Sequence, residues 1–291
     1  MTGFQLQYET YKQAVDAALV SLPWGEDRLS RGMTYSLLGG GKRLRPVLAL
    51  AAAALAGGDP LALTPPACGL EMIHTYSLIH DDLPCMDDDD TRRGLPANHI
   101  AFGEAAAVLA GDALLTLGLE LIARPLPGIP PERNLRAVVL TAAAAGWRGM
   151  VGGQMLDMDG PPGKPGLEWL AHMQSLKTGA LFIAAVELGA VLAGAEDEAV
   201  ARLRVYAAAL GAAFQIRDDI LDLEGESAVL GKPTGSDGKL AKTTYPALLG
   251  LEGAAAALRQ KTEEAIAALA AWGKEAAFLR ELAARAAGRE K

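Results

Sequence analysis

Asp81–Asp90 reads DDLPCMDDDD and closes an apolar helical run; 137 positions after Asp81 comes Asp218, with Asp219 and Asp222, in FQIRDDILDLEG, Phe214–Gly225. Six aspartates in ten residues could, taken alone, equally be a solvated acidic loop. The second cluster is harder to read that way. At about 100° per residue its three aspartates share an arc of about 100° on one helix face. Phe214, Ile216, Ile220, Leu221 and Leu223 surround them, so the face opens from a buried helix. Three like charges there repel one another unless a cation sits between them. Oxygen ligands without thiolates or a histidine cage suit Mg²⁺, ordinarily held by one or two carboxylates plus substrate phosphates. Two such clusters predict one metal-bridged anionic substrate gripped from opposite walls.

Composition supports helices around a large core. The 291 residues are 51% hydrophobic but only 5% aromatic, with abundant alanine, which favours closely packed helices over sheets. No linker interrupts the chain, so residues 1–291 are read as a single domain. A net charge of −8 argues against a nucleic-acid partner. Cys68 and Cys85 are too few for a disulfide framework and lack metal-site spacing, which points to a reducing compartment. The N-terminal stretch MTGFQLQYETYKQAVD carries acids, unlike a signal or transit peptide. No run reaches the roughly 18 uncharged apolar residues of a membrane span: Val47–Gly58 is too short and Glu187 interrupts Leu181–Gly194. The expectation is a soluble cytoplasmic protein with no stable membrane insertion.

In chain order, residues 4–22 form an amphipathic helix. GGGKRLRP, Gly39–Pro46, lacks the hydroxyl residue and preceding strand of a P-loop. Pro46 instead suits the first turn of a helix Val47–Leu55, and Lys42, Arg43 and Arg45 crowd its positive end, an anion site. A solvated basic loop is the bland alternative. Residues 66–83 form a central helix on which His74, Ser77 and Asp81 share one stripe. His80 lies off that stripe and is read as structural. Pro84 disturbs the helix, so Asp87 must return toward Asp81 by a bulge or loop. Arg92 and Arg93 are either charge partners of the acids or bidentate phosphate ligands. Beyond Gly103 the pattern is helical, with breaks at Pro125–Pro131, Asp159–Gly166 and Gly225–Asp237. Gln154 and Asp157 share a face, by default as ordinary polarity. Lys177-Thr178-Gly179 interrupts an apolar helix, where a lysine needs a partner and Gly179 permits a kink. Gln215 joins the face of Asp218. Lys232, Lys239 and Lys242 lie in a glycine-rich loop, and helices near 252–271 and 273–287 look structural.

LIHDDLPCMDDDDTRRGLPANH resembles the first aspartate-rich motif of the short-chain trans-prenyl diphosphate synthases, in its bacterial-type form, and FQIRDDILD resembles their second. GGGKRLRP, GGQMLDM, KTGALF and GKPTGSDGKLAKTTYPALLGLE are similar to further family blocks in the family's order, so the likeness spans residues 39–251. It implies an all-α isoprenoid-synthase fold, an antiparallel bundle around a deep central cavity, and usually a homodimer. It implies head-to-tail condensation of isopentenyl diphosphate with an allylic diphosphate, both small-molecule substrates. By motif, Asp81, Asp82, Asp87, Asp218, Asp219 and Asp222 would bind Mg²⁺, with three ions per site and Mn²⁺ as a substitute. Lys42, Arg45, His74 and Arg93 would hold isopentenyl diphosphate, and Arg92, Lys177, Lys232 and Lys242 the allylic diphosphate. Thr178 and Gln215 would stabilise the developing cation beside Lys177, a catalytic residue with them, and Lys232 would reach the leaving group as Gly231–Asp237 closes. Tyr76, five places before the first aspartate, with Ser77 beside it, resembles the floor of members that stop at 15 carbons; a packed core tyrosine would leave the length open.

Overall fold

A computed structural model describes residues 2–230 and 243–288, with side chains to 224 and from 243. Lys232, Lys239, Lys242 and the Gly231–Asp237 loop lie outside the described residues. The fold is all-α. The chain forms two compact units, Met1–Ala145 with Ala184–Val200, and Gly146–Ile183 with Ala201–Lys291.

The first unit begins with α1 (Gly3–Val20), started by a capping box in which Thr2 and Gln5 satisfy each other's backbone N–H groups. Asp27 caps α2 (Arg28–Leu38) by accepting from Leu29 and Ser30 N–H at 2.9 and 3.0 Å. Next come α3 (Leu44–Leu55), α4 (Thr64–Asp81), α5 (Asn98–Phe102), α6 (Glu104–Ala123) and α7 (Pro131–Ala145). Between α4 and α5, β1 (Thr91–Arg92) and β2 (Leu95–Pro96) pair antiparallel, a hairpin too short for an alternation pattern to announce.

Helix α4, which carries the first acidic cluster, is located by its crossing with α6. A β-carbon on Gly69 would stand 2.4 Å from the Gly118 carbonyl oxygen, and one on Gly118 would stand 2.7 Å from that of Gly69. The two backbones therefore touch, and Leu70, Ile73, Leu114 and Ile122 close around the contact fully buried. His80 packs over Gly111, with Nε2 3.0 Å from the Val108 carbonyl oxygen, the structural place expected for it.

One expectation about GGGKRLRP is corrected. Helix α3 begins at Leu44, three residues earlier than predicted, so Arg45 lies in its first turn. Arg43 precedes it with a left-handed φ of 50°, and its guanidinium turns inward rather than joining the anion site. It meets Asp16 of α1 at 2.8 Å and Glu71 of α4 at 2.9 Å, and donates to the Leu37 carbonyl of α2 at 2.8 Å. Glu71 is 2% exposed, and a carboxylate so buried requires such a partner.

The second unit contains α8 (Met150–Asp159), α9 (Leu167–Gln174), a π-helical turn Ser175–Gly179, and the start of α10 (Ala180–Ala193). Most of α11 (Asp197–Leu230), with α12 (Tyr245–Ala268) and α13 (Ala277–Gly288), completes it. The expected kink at Gly179 is thus a π-turn, and α11 runs unbroken past Gly225. Leu170, Met173, Ala213, Ile216, Ile220, Tyr245, Ala254 and Leu258 form the core beside the second acidic cluster. Leu223, expected among the apolar neighbours of that cluster, is 42% exposed. Buried Tyr206 ties α11 to α13 by donating to the Leu279 carbonyl at 2.9 Å.

Helical segments Glu104–Ala123, Leu167–Ala193 and Asp197–Glu224 are long and apolar enough, by length and composition alone, to cross a membrane. A search for wholly uncharged runs passes over them, because the apolar 18-residue stretch within each can still hold up to two charged residues.

Replacing Arg43 by methionine leaves Glu71 buried without its cation. The expected loss is about 3–5 kcal/mol of stability, read as a lowered urea midpoint; a loss under about 1 kcal/mol would show the pair to be incidental.

Candidate active site

In the first unit the acidic motif is a helix end followed by a tight return. Asp81 is the last residue of α4 and Asp82 its C-cap. The chain turns back through Met86 N–H to the Leu83 carbonyl at 2.8 Å, and Asp87 N–H donates to the Asp81 carbonyl at 2.9 Å. Left-handed Asp88 completes the turn. The residues between the aspartate pair and Asp87 are taken up in this loop, which brings the Asp87 backbone beside that of Asp81.

Asp82 is placed differently. It is 2% exposed and accepts from Arg92 Nε at 2.9 and 3.2 Å as well as from Nη2. Burial raises its pKa while Arg92 opposes that shift. Arg92 also lies 3.7 Å from Asp89. In this geometry Asp82 and Arg92 hold the hairpin against the end of α4. Arg93 and Gly94 form the hairpin turn, both at positive φ, as a two-residue turn matched to strand twist requires. Arg93 then reaches the glycine run and donates to the Gly40 carbonyl.

The basic residues gather around His74. Burial, followed by the charges of Arg45, Arg93, Arg92 and Arg43, drives its pKa well below the usual imidazole value. Burial likewise pushes Arg45 down to about 10. Lys42 is exposed beside them, and its carbonyl accepts from the Tyr8 hydroxyl at 2.5 Å. A neutral imidazole on α4 within the field of guanidinium groups, Arg45 among them at the first turn of α3, could hold a multiply charged anion.

Tyr76 is 6% exposed and meets the His80 ring edge-on at 5.7 Å. Its pKa is pushed up to about 12 by burial and then by the charge of Asp81, which places the phenol within electrostatic reach of the aspartate. Ser77 donates back to the His74 carbonyl at 2.8 Å.

In the second unit Asp218, Asp219 and Asp222 project from α11. Burial raises Asp219 to about 6; Tyr245 N–H at 2.9 Å and Gln174 at 3.4 Å draw it down, and the charges of Asp222 and Asp218 push it up. A divalent cation would reverse the last term. Lys177 finds the partner its apolar setting demands in Asp157, at 2.6 Å. Thr178 donates to the Gln215 side-chain oxygen. Asp157, read by default as ordinary polarity, is thus the carboxylate that lies across from Lys177. Its spacing from Gln154 marks the shared face but cannot reveal what lies across from it.

Among the described residues no three His, Cys, Asp or Glu side chains form a ready metal cage. The donors offered are carboxylate oxygens alone. That chemistry fits Mg²⁺, which keeps several waters and completes its shell with substrate phosphates.

All-helical architecture with an aspartate cluster in each unit is what the resemblance to the short-chain trans-prenyl diphosphate synthases leads one to expect. The profile described as Polyprenyl synthetase matches residues 26–279, and the chain belongs to that family. The farnesyl diphosphate synthase of Geobacillus stearothermophilus is 50% identical over 247 residues, 84% of this chain and 83% of that protein. Geranylgeranyl pyrophosphate synthase 9 of Arabidopsis thaliana is 47% identical over 270 residues, 90% of this chain and 75% of that protein. The apo crystal structure of an FPP/GFPP synthase from Zymomonas mobilis superposes with a TM-score of 0.87 at 40% identity, covering 97% of this chain and 98% of that one.

His74 supplies a test of the anion pocket. Its folded pKa lies below the unfolded value of about 6.5, so the unfolded chain binds more protons as pH falls. Stability is therefore fully present above about pH 6.5 and is lost as pH drops from there toward the folded pKa. NMR titration of the imidazole is expected to show this depressed value and a rise on adding inorganic pyrophosphate. An imidazole that titrates normally and ignores pyrophosphate would count against the pocket.

Proposed function

We propose that this protein is a farnesyl diphosphate synthase, condensing isopentenyl diphosphate head to tail with dimethylallyl and then geranyl diphosphate. The carrying observation is the arginine-ringed His74 beside the Asp81–Asp87 turn, an anion pocket next to a carboxylate pair. Asp81 and Asp87 in one unit, and Asp218, Asp219 and Asp222 in the other, are the residues to hold Mg²⁺. Three ions, with Mn²⁺ as a substitute, follow the likeness stated above. Bound there, Mg²⁺ supplies positive charge that stabilises a departing diphosphate. Asp82, sequestered by Arg92, serves the metal set by anchoring its loop.

In the reaction the allylic C–O bond breaks and its electron pair leaves with the diphosphate. Lys177 offsets that charge, while the Thr178 and Gln215 oxygens face the allylic cation; Arg92 and, outside the described residues, Lys232 and Lys242 complete the set. Lys42, Arg45, His74 and Arg93 orient isopentenyl diphosphate so that its alkene carbon attacks the cation. A proton then leaves the carbon next to the new centre, with the released diphosphate as base. Burial and the nearby arginines lower the proton affinity of His74, so it is a weak base and is not assigned that step.

Tyr76 stands about 7.5 Å below Asp81 by helical rise. Its buried ring is the floor that favours 15 carbons over the 20 of a geranylgeranyl synthase. The family match runs through both units, which supports one functional domain, 1–291. A homodimer in the cytoplasm is the proposed setting. The outward faces of α6 and α7, with Val108, Leu109, Leu135 and Val139 exposed, are the kind of apolar surface a second copy covers.

Asp81→Ala and Asp218→Ala are each expected to lower kcat by about 100-fold or more with the helical fold retained; near-normal turnover in Mg²⁺ would refute the metal roles. Tyr76→Ala is expected to yield 20-carbon or longer products, and Ser77→Phe 10-carbon products. Chromatography of the dephosphorylated products reads both, and an unchanged distribution would remove the floor.

A further inference from the structure

The π-turn Ser175–Gly179 is a local defect inside one helical rod from α9 to α10. Such turns cost backbone geometry and survive where surrounding structure enforces them. Here the surroundings are two glycines. A β-carbon on Gly153 of α8 would stand 2.1 Å from Lys177 N and 2.6 Å from Lys177 Cα. Across the turn, a β-carbon on Gly211 of α11 would stand 3.3 Å from Gly179 Cα. Both neighbours are backbone atoms, which cannot swing aside as a side chain would.

The turn also separates two adjacent side chains. Lys177 faces α8 and Asp157 at 2.6 Å, whereas Thr178 faces α11 and Gln215. One polar pair is thus formed on each flank of the rod, next to the glycine that lets that flank approach. We infer that Gly153 and Gly211 are positioning residues, a side-chain-free clamp that holds the π-turn and thereby aims Lys177 and Thr178 at the allylic substrate. Neither glycine touches substrate. The inference rests on the synthase reading for the purpose of the aim, but the clamp itself is a property of the fold.

Gly153→Ala forces a backbone to move. Displacement of reacting groups by about 1 Å costs about 100-fold in rate, so kcat is expected to fall by about that factor. The KM for isopentenyl diphosphate should stay within about twofold, because its proposed ligands belong to the other unit. Gly211→Ala asks for a shift of only a few tenths of an ångström and should lower kcat by about tenfold or less. Gly166→Ala, with no neighbour within 4 Å, serves as the control. Amide exchange across 175–179, followed by mass spectrometry, should quicken in both clamp variants and not in the control. If Gly153→Ala does not fold, Gly211→Ala decides by the same two readouts. Wild-type kcat with unchanged exchange in a folded clamp variant overturns the inference, as does an equal loss in kcat and isopentenyl diphosphate affinity. A wild-type chain that exchanges as expected but makes no prenyl product would instead overturn the synthase reading.

Discussion

A single buried guanidinium organises the first unit. Arg43 reaches Asp16 on α1, the end of α2 through the Leu37 carbonyl, and Glu71 on α4, while its own backbone opens α3. Four helices are thereby referenced to one planar group with a fixed fork of donors. Hydrophobic burial contributes more free energy than this ion pair, since desolvation offsets much of what the pair gains. The pair supplies what apolar packing lacks, a unique register between α3 and α4. That register sets Arg45 relative to His74, and so sets the anion pocket.

The remaining charges are divided by the same logic. Asp82 is paired with Arg92, and Asp157 with Lys177, each pair bridging two segments of its unit. Asp219 spends one oxygen on Tyr245 N–H, which pins the start of α12 against α11. In every case one member of a charge-rich motif is used to hold the others in place. Counting the aspartates of a motif therefore does not show which of them also meet a cation or a backbone N–H within the protein.

Much of this was legible in the chain. Charge interrupting a 3.6-residue apolar period exposed both aspartate helices, and Pro84 required a return that the Asp87–Asp81 hydrogen bond supplies. Lys177 announced that it needed a partner. What stayed hidden depended on neighbours distant in sequence. Lys42, Arg43 and Arg45 look alike until Glu71 is known to be buried opposite one of them. A two-residue strand pair has too few positions to show alternation, so the Thr91–Pro96 hairpin leaves no signal in the sequence. The π-turn left a trace, a polar triplet in an apolar helix, but a kink at glycine leaves the same trace.

The placement of the charges also runs against helix electrostatics. Asp81 and Asp82 stand at the C-terminal end of α4, where unsatisfied carbonyls already concentrate negative potential, and Arg45 stands in the first turn of α3, at its positive end. Both arrangements destabilise the protein relative to the reverse. A cation at the first end and a multiply charged anion at the second would each offset the mismatch. A fold selected for stability alone would exchange the two. Carrying both mismatches side by side in one unit, it holds in reserve the attraction that a metal-bound diphosphate completes.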